Sequence, residues 1–140
     1  MSSDLFNRGL KIRSRVMGKA YVKKSFATPD LITQDIQNLL TTYGYGAIWG
    51  RPGLKIETRS LLAIAVLTVL NHPEELRGHI RGALNLGIAD KEIIETLIHL
   101  LPYAGAPAMQ NGLRAAKAVF TDRDADILAK KSRLKTSKDQ

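Results

Sequence analysis

Apolar residues recur at helical spacing along nearly the whole of this chain, and no run alternates apolar with polar as a half-buried strand would. From Asp4 to about Met17, Leu5, Leu10, Ile12 and Val16 lie scattered among basic residues, the pattern of a weakly amphipathic helix or arm. Thr28-Pro29-Asp30 reads as a cap with an early proline, and Ile32, Ile36, Leu39 and Leu40 then follow i, i+4, i+7, i+8. This helix should stop before Gly44 and Gly46. The next stretch, Y-G-Y-G-A-I-W-G-R-P-G-L, holds four glycines, a proline and the only tryptophan. It is too irregular for a helix and too aromatic for a loose linker. Either Trp49 fills the edge of the core in a packed connection, or it walls a pocket.

A long apolar helix is expected from about Ile56 to Leu70. Pro73 suits the first turn of another, which reaches Leu86, with Gly87 as its stop. Asp90 reads as the cap of a further helix whose apolar stripe is Ile93, Ile94, Leu97, Ile98 and Leu101. Pro102 and Y-A-G-A-P-A break it, and a last helix runs from Ala106 or Pro107 to Phe120. About six helices with short connections predict an all-α, single-domain bundle. Its expected divisions are a basic N-terminal arm or helix over 1–27, a helical domain over 28–121 and a flexible basic tail over 122–140.

Composition narrows this further. A chain of 140 residues, 44% hydrophobic and 24% charged, has the make-up of one folded domain. No apolar run approaches the ~20 residues that span a bilayer, and M-S-S-D-L-F-N-R-G-L-K lacks the apolar core of a secretory leader. A cytoplasmic protein without a membrane partner is the expectation. There is no cysteine, which removes disulfides, thiolate metal sites and cysteine nucleophiles together. The net charge is +8, but residues 1–24 carry seven Lys/Arg against one Asp and residues 130–140 five against one, leaving residues 25–129 at −2. The positive charge therefore belongs to the two ends. No zinc-finger, RNP-type or phosphate-loop pattern supports a nucleic-acid partner.

Candidate chemistry centres on N-H-P-E-E-L-R-G-H, Asn71 to His79. On a helix starting at Pro73, Glu75 and His79 share a face at i, i+4. A carboxylate beside an imidazole orients it and makes a general acid/base pair, although the same spacing also describes an ordinary surface ion pair. Arg81, two positions after His79, is expected on another side. His72 precedes the helix and no third ligand or H-E-x-x-H pattern accompanies it, so no metal is expected. His99 reads as a helix or interface histidine. Arg51 in W-G-R-P-G-L and Arg59 at the start of the apolar helix could bind an anionic substrate, or serve as structural ion pairs.

Three blocks, W-G-R-P-G-L-K-I-E-T-R-S-L-L-A-I-A, E-E-L-R-G-H-I-R-G-A-L-N-L-G and E-I-I-E-T-L-I-H-L-L-P-Y-A-G-A-P-A, resemble the carboxymuconolactone decarboxylase family over roughly Tyr43 to Phe120. The wider alkylhydroperoxidase D-like superfamily carries E-x11-C-x2-C-x3-H. That spacing falls here on Ser60, His72, Glu75 and His79, so only the histidine is kept. Without thiolates, thiol peroxidase activity is excluded. Tyr45 stands where many relatives have tryptophan, and Ala47 where many have an acidic residue or threonine.

The resemblance implies a homo-oligomer, a hexamer built as a trimer of dimers or a trimer, with pockets near subunit contacts. It implies a reaction that needs no cofactor: a small carboxylated lactone loses CO2 and is protonated on carbon to an enol-lactone. On that reading His79 donates the proton and Glu75 orients it. Arg51 and Arg59 bind the substrate carboxylates or oxyanion, and Trp49 and Tyr103 wall the pocket. The competing readings are a related lyase or isomerase acting on another small acid, and a non-catalytic oligomeric binding protein on the same fold.

Overall fold

A computed structural model describes residues 3–140, so Met1 and Ser2, the start of the expected arm, lie outside the described residues. The order is α1 (Ser3–Met17), α2 (Lys19–Phe26), α3 (Leu31–Leu39), a π-helical segment (Leu40–Trp49), α4 (Ile56–Val69), α5 (Pro73–Asn85), α6 (Asp90–Ile98), α7 (Leu101–Ala104) and α8 (Ala106–Lys138). Among the described residues there is no strand, and no helix is long and apolar enough to cross a membrane.

The core forms where α4, α5, α6 and α8 bury one stripe each. Ile64 comes from α4, Leu76, Ile80 and Ala83 from α5, Ile93 and Leu97 from α6, and Ala115, Ala116 and Val119 from α8. Each large side chain among them removes enough apolar surface from water to contribute about 1.5–3 kcal/mol. The small residues of α8 let that helix approach closely. Local signals fix the ends of the helices. Asp30 caps α3, its carboxylate accepting from the Ile32 N–H at 3.1 Å. At the end of α5 the Gly87 N–H donates to Leu84 O and the Ile88 N–H to Ala83 O, both at 3.0 Å, while Gly87 takes φ +82°. This paired closure requires a left-handed residue, and glycine adopts that backbone without a Cβ clash.

Four expectations are corrected. The glycine- and tryptophan-rich stretch is irregular only after Trp49: the chain continues from α3 without a break and widens into π-helical turns to Trp49. The reason is packing against α1. A Cβ on Gly9 would strike the Thr41 carbonyl, and one on Gly46 would strike the Leu5 carbonyl, so the two glycines let two helical backbones touch. Second, the last helix does not end at Phe120 but continues to Lys138. Nothing between Thr121 and Lys138 is Gly or Pro, Asp126 precedes Lys130 by four, and Lys135 and Lys138 sit at the helix C-terminus, where cations are favoured. Third, Asp90 is the first helical residue rather than the cap. Its carboxylate instead accepts two hydrogen bonds from Arg123 of α8, the longer at 2.8 Å, which pins α8 to α6. Fourth, Lys19–Phe26 and Leu101–Ala104 add helices beyond the six expected.

The stripe Ile32, Ile36, Leu39 and Leu40 is exposed on the single chain, as are Leu62, Val66, Val69 and Leu70 of α4. Buried Ile64 and Thr68 lie on the opposite side of α4. This helix is therefore apolar on both faces, with only one of them covered.

Candidate active site

His79 is placed by the start of α5. Asn71, at φ 58°, turns the chain out of α4, and Pro73 opens α5 with its ring already at a helical φ. Glu74 and Glu75 then fall in the first turn, where the unpaired N–H groups favour negative charge. One turn further on, His79 points inward against Trp49, the ring centroids 6.2 Å apart and the planes 24° from parallel. Trp49 in turn lies 5.4 Å from the Tyr45 ring. The π segment thus supplies an aromatic wall to the imidazole.

His79 and Tyr45 border a cleft of about 390 Å³ between α1, α2, the π segment and α5. Arg13 and Met17 line it from α1, Tyr21 from α2, Leu40 and Tyr45 from the π segment, and Glu74, Glu75, Gly78, His79 and Arg81 from α5. Burial pushes the His79 pKa below its ordinary 6.5, so the resting imidazole is neutral near pH 7. Its Nδ1 is buried and has no hydrogen-bond partner. Burial also pushes the Tyr45 phenol up to about 12, against the pull of the Arg13 charge, so it remains a hydrogen-bond donor at neutral pH.

The expected site residues are only partly gathered. Glu75 and His79 line one cleft, yet no hydrogen bond joins them and Glu75 is exposed. Trp49 stacks on the imidazole but is not itself among the residues that line the cleft. Arg51 and Arg59 meet each other instead: the Arg59 guanidinium donates to the Arg51 carbonyl at 3.1 Å, and neither lines the cleft. Tyr103 is 78% exposed on α7 with its ring against His99, also outside the cleft lining. Arg81, expected on another side, does line the cleft. Gly78 has no side chain to block it, and a Cβ built there would lie 3.9 Å from an Arg81 terminal nitrogen.

Sequence reasoning missed Arg13, which is 4% exposed. Its guanidinium donates to Thr41 Oγ1 at 3.0 Å and Gln37 Oε1 at 2.6 Å, and packs against the Phe26 and Tyr45 rings. The signal was present: Gly9, Arg13 and Val16 are the buried positions of α1, and they follow i, i+4, i+7. Val16 belongs to that stripe and Leu5 lies one turn before Gly9 against Gly46, but the basic residues between them hid the pattern.

The fold and this cleft define an all-α protein whose pocket centres on a histidine and contains no thiol. The chain belongs to the carboxymuconolactone decarboxylase family, matched over residues 34–118, in the cysteine-free branch of the alkylhydroperoxidase D-like superfamily. It is 38% identical over 117 residues to 4-carboxymuconolactone decarboxylase of Acinetobacter baylyi, covering 84% of this chain and 87% of that one. It is 33% identical over 118 residues to nitrosuccinic acid decarboxylase of Metarhizium robertsii, covering 84% and 82%. Arg13, Met17 and Tyr21 all precede the family-matched residues.

Proposed function

We propose that the protein is a cofactor-independent decarboxylase of small carboxylic acids in which a neighbouring group accepts the electron pair left by CO2, with a carboxylated lactone as the leading substrate. The observation that carries this is His79. It is a half-buried imidazole held flat against Trp49, with an unpartnered nitrogen, on the wall of a cleft large enough for a small acid. The two relatives described above support the breadth of the substrate class. Their names denote a lactone and a nitro acid, and a lactone carbonyl and a nitro group are both electron sinks.

In the proposed reaction the bond from carbon to the departing carboxylate breaks and CO2 leaves. The electron pair passes through the ring to the lactone carbonyl oxygen. Tyr45, kept protonated by burial, is suited to donate a hydrogen bond to that developing oxyanion. His79 then gives a proton to carbon and the carbonyl re-forms. Resting His79 is neutral, and a bound anion within a few ångströms favours the imidazolium. Binding of the substrate therefore helps to charge its own acid. Glu75, one turn earlier at the cleft mouth, is assigned the supporting negative charge, reached by a rotamer change.

Trp49 stays in this reading as the wall behind His79. Arg51, Arg59 and Tyr103 stand outside the cleft of one chain, so they bind substrate only if a second copy brings them to it. The uncovered apolar faces of α3 and α4 support a homo-oligomer, with the trimer-of-dimers hexamer as the arrangement to test. The experiment for the activity is a panel of carboxylated lactones and nitro acids assayed for CO2 release. Release from at least one of them, abolished by His79→Ala, is expected. A panel with no turnover leaves the non-catalytic binding reading in its place.

A further inference from the structure

Two other arginines that pack against α1, the π segment or α8 have an ordinary structural explanation. Arg123 is paired with Asp90 and Asp124. Arg8 donates twice to the Gly46 carbonyl, closing α1 on the π segment. Arg13 is different. It is the most enclosed cation among the buried side chains, and among the described residues no carboxylate lies within ion-pair distance of it. Buried charges are paired in nearly all folded proteins, because desolvating one without a counter-charge is costly.

What surrounds Arg13 is neutral but ordered. Thr41 accepts from it while passing its own proton to the Gln37 carbonyl at 2.7 Å, so the lone pair facing the guanidinium is fixed. Gln37 accepts at the other terminal nitrogen. The Phe26 and Tyr45 ring centroids lie 5.8 and 5.9 Å from its central carbon, within cation–π range. Two of five N–H groups are engaged, and the side chain forms part of the cleft wall. The group is held in place, desolvated and not neutralised.

We infer that Arg13 anchors the carboxylate that the substrate retains, so that the cleft selects small dicarboxylic acids and presents the departing end to His79. This rests on the decarboxylase reading above and deepens it. Tyr45 connects the two groups, since its ring packs against both the Arg13 guanidinium and the Trp49 ring, and Trp49 stacks on His79. Guanidinium and imidazole are thus linked through two intervening rings and both face the one cleft. A fixed cation against the departing carboxylate would hold it charged, whereas one on the retained carboxylate binds the substrate without opposing loss of CO2. Glu74 and Glu75 also face the cleft and repel a dianion at its mouth, and Arg81 at the rim offsets them. Selection therefore falls to the enclosed Arg13.

The test uses adipate, a six-carbon dicarboxylate without a leaving group, and its monomethyl ester. In the wild-type protein, adipate should compete at the cleft about ten- to a hundredfold better than the ester, the range set by one charge-assisted contact. Its titration should shift the Arg13 Nε–H resonance to saturation. Arg13→Lys and Arg13→Gln should bring the two ligands within about twofold of each other, because they remove the fork that grips a carboxylate. Arg114→Gln, on the exposed side of α8 away from the cleft, should keep the preference. A merely structural Arg13 would lower affinity for both ligands together. Retention of the preference in folded Arg13 variants overturns the inference, as does an unmoved Nε–H at saturation or the absence of adipate binding. If the variants do not fold, the wild-type titration decides. Binding that depends on Arg13 without turnover of any acid would defeat the decarboxylase reading and leave the anchor standing. Turnover with an unchanged ligand preference would do the reverse.

Discussion

If His79 delivers the proton to carbon, replacing it should cost the contribution of one positioned acid. Gln is the substitution to make, because it approximates the imidazole in volume and keeps a planar face against Trp49 while having no titratable proton. A positioned general acid contributes typically 10²–10⁴-fold, so kcat for His79→Gln should fall by that factor, about 3–5 kcal/mol of transition-state stabilisation. The loss should be in kcat rather than KM. The pH dependence gives an independent reading. In the free protein burial holds the His79 pKa below 6.5, so the fraction carrying a proton declines as pH rises through that lowered value. Accordingly kcat/KM should fall with rising pH above a midpoint below about 6.5. The profile of kcat should fall at higher pH, because the bound anion favours the imidazolium. The assay is CO2 release under steady-state conditions from pH 5 to 9. Full turnover by His79→Gln, or a kcat/KM that stays level across this range, would refute the role.

Three further outcomes follow from the packing. Gly9→Ala should destabilise the protein by about 1–3 kcal/mol in urea unfolding, since its Cβ would meet the Thr41 backbone rather than a flexible side chain; an unchanged midpoint would show that α1 is not held there. Asp90→Asn should cost about 0.5–1 kcal/mol at neutral pH, a modest value because the pair is partly exposed. The Arg123 hydrogen bonds hold the Asp90 pKa below 3.8, so this contribution is present above that value and lost as pH falls through the lowered one. The gap between wild type and variant should accordingly close in acid. Val66→Glu on the uncovered face of α4 should convert an oligomer to monomer in light scattering, with little change in helical circular dichroism.

Much of the fold was legible because its signals are local. Pro73, Gly87 and the Thr28-Pro29-Asp30 turn each mark a helix end through the backbone of a few adjacent residues, and the structure ends its helices at or beside them. The last helix was ended too early, at Phe120, because charge suggested a solvated tail; the residues beyond are exposed, but the backbone had no reason to leave the helix before Lys138. The Leu40–Trp49 segment was illegible for a different reason. Its glycines look like breakers until Leu5 and Gly9, far away in sequence, are known to face Gly46 and Thr41, and only that contact shows Gly46 to be a close-packing residue.

The same division runs through the cleft. Its α5 half, Glu75 and His79, could be placed on one helix by spacing, while only the family resemblance gave the pair a role. The other half comes from α1 and the π segment, whose meeting depends on a contact between distant parts of the chain, so Arg13 and Tyr45 gave no motif. A motif-based reading looks for cations near the motif, and so it chose Arg51 and Arg59, which in the single chain are engaged with each other. Physical reasoning on burial selects otherwise. An arginine on the inward stripe of a helix, spaced i, i+4, i+7 with a glycine and a valine, cannot be solvated and has to be matched by something. In this chain the residues around it are neutral, which leaves the missing negative charge to come from outside the protein, through the cleft that His79 shares.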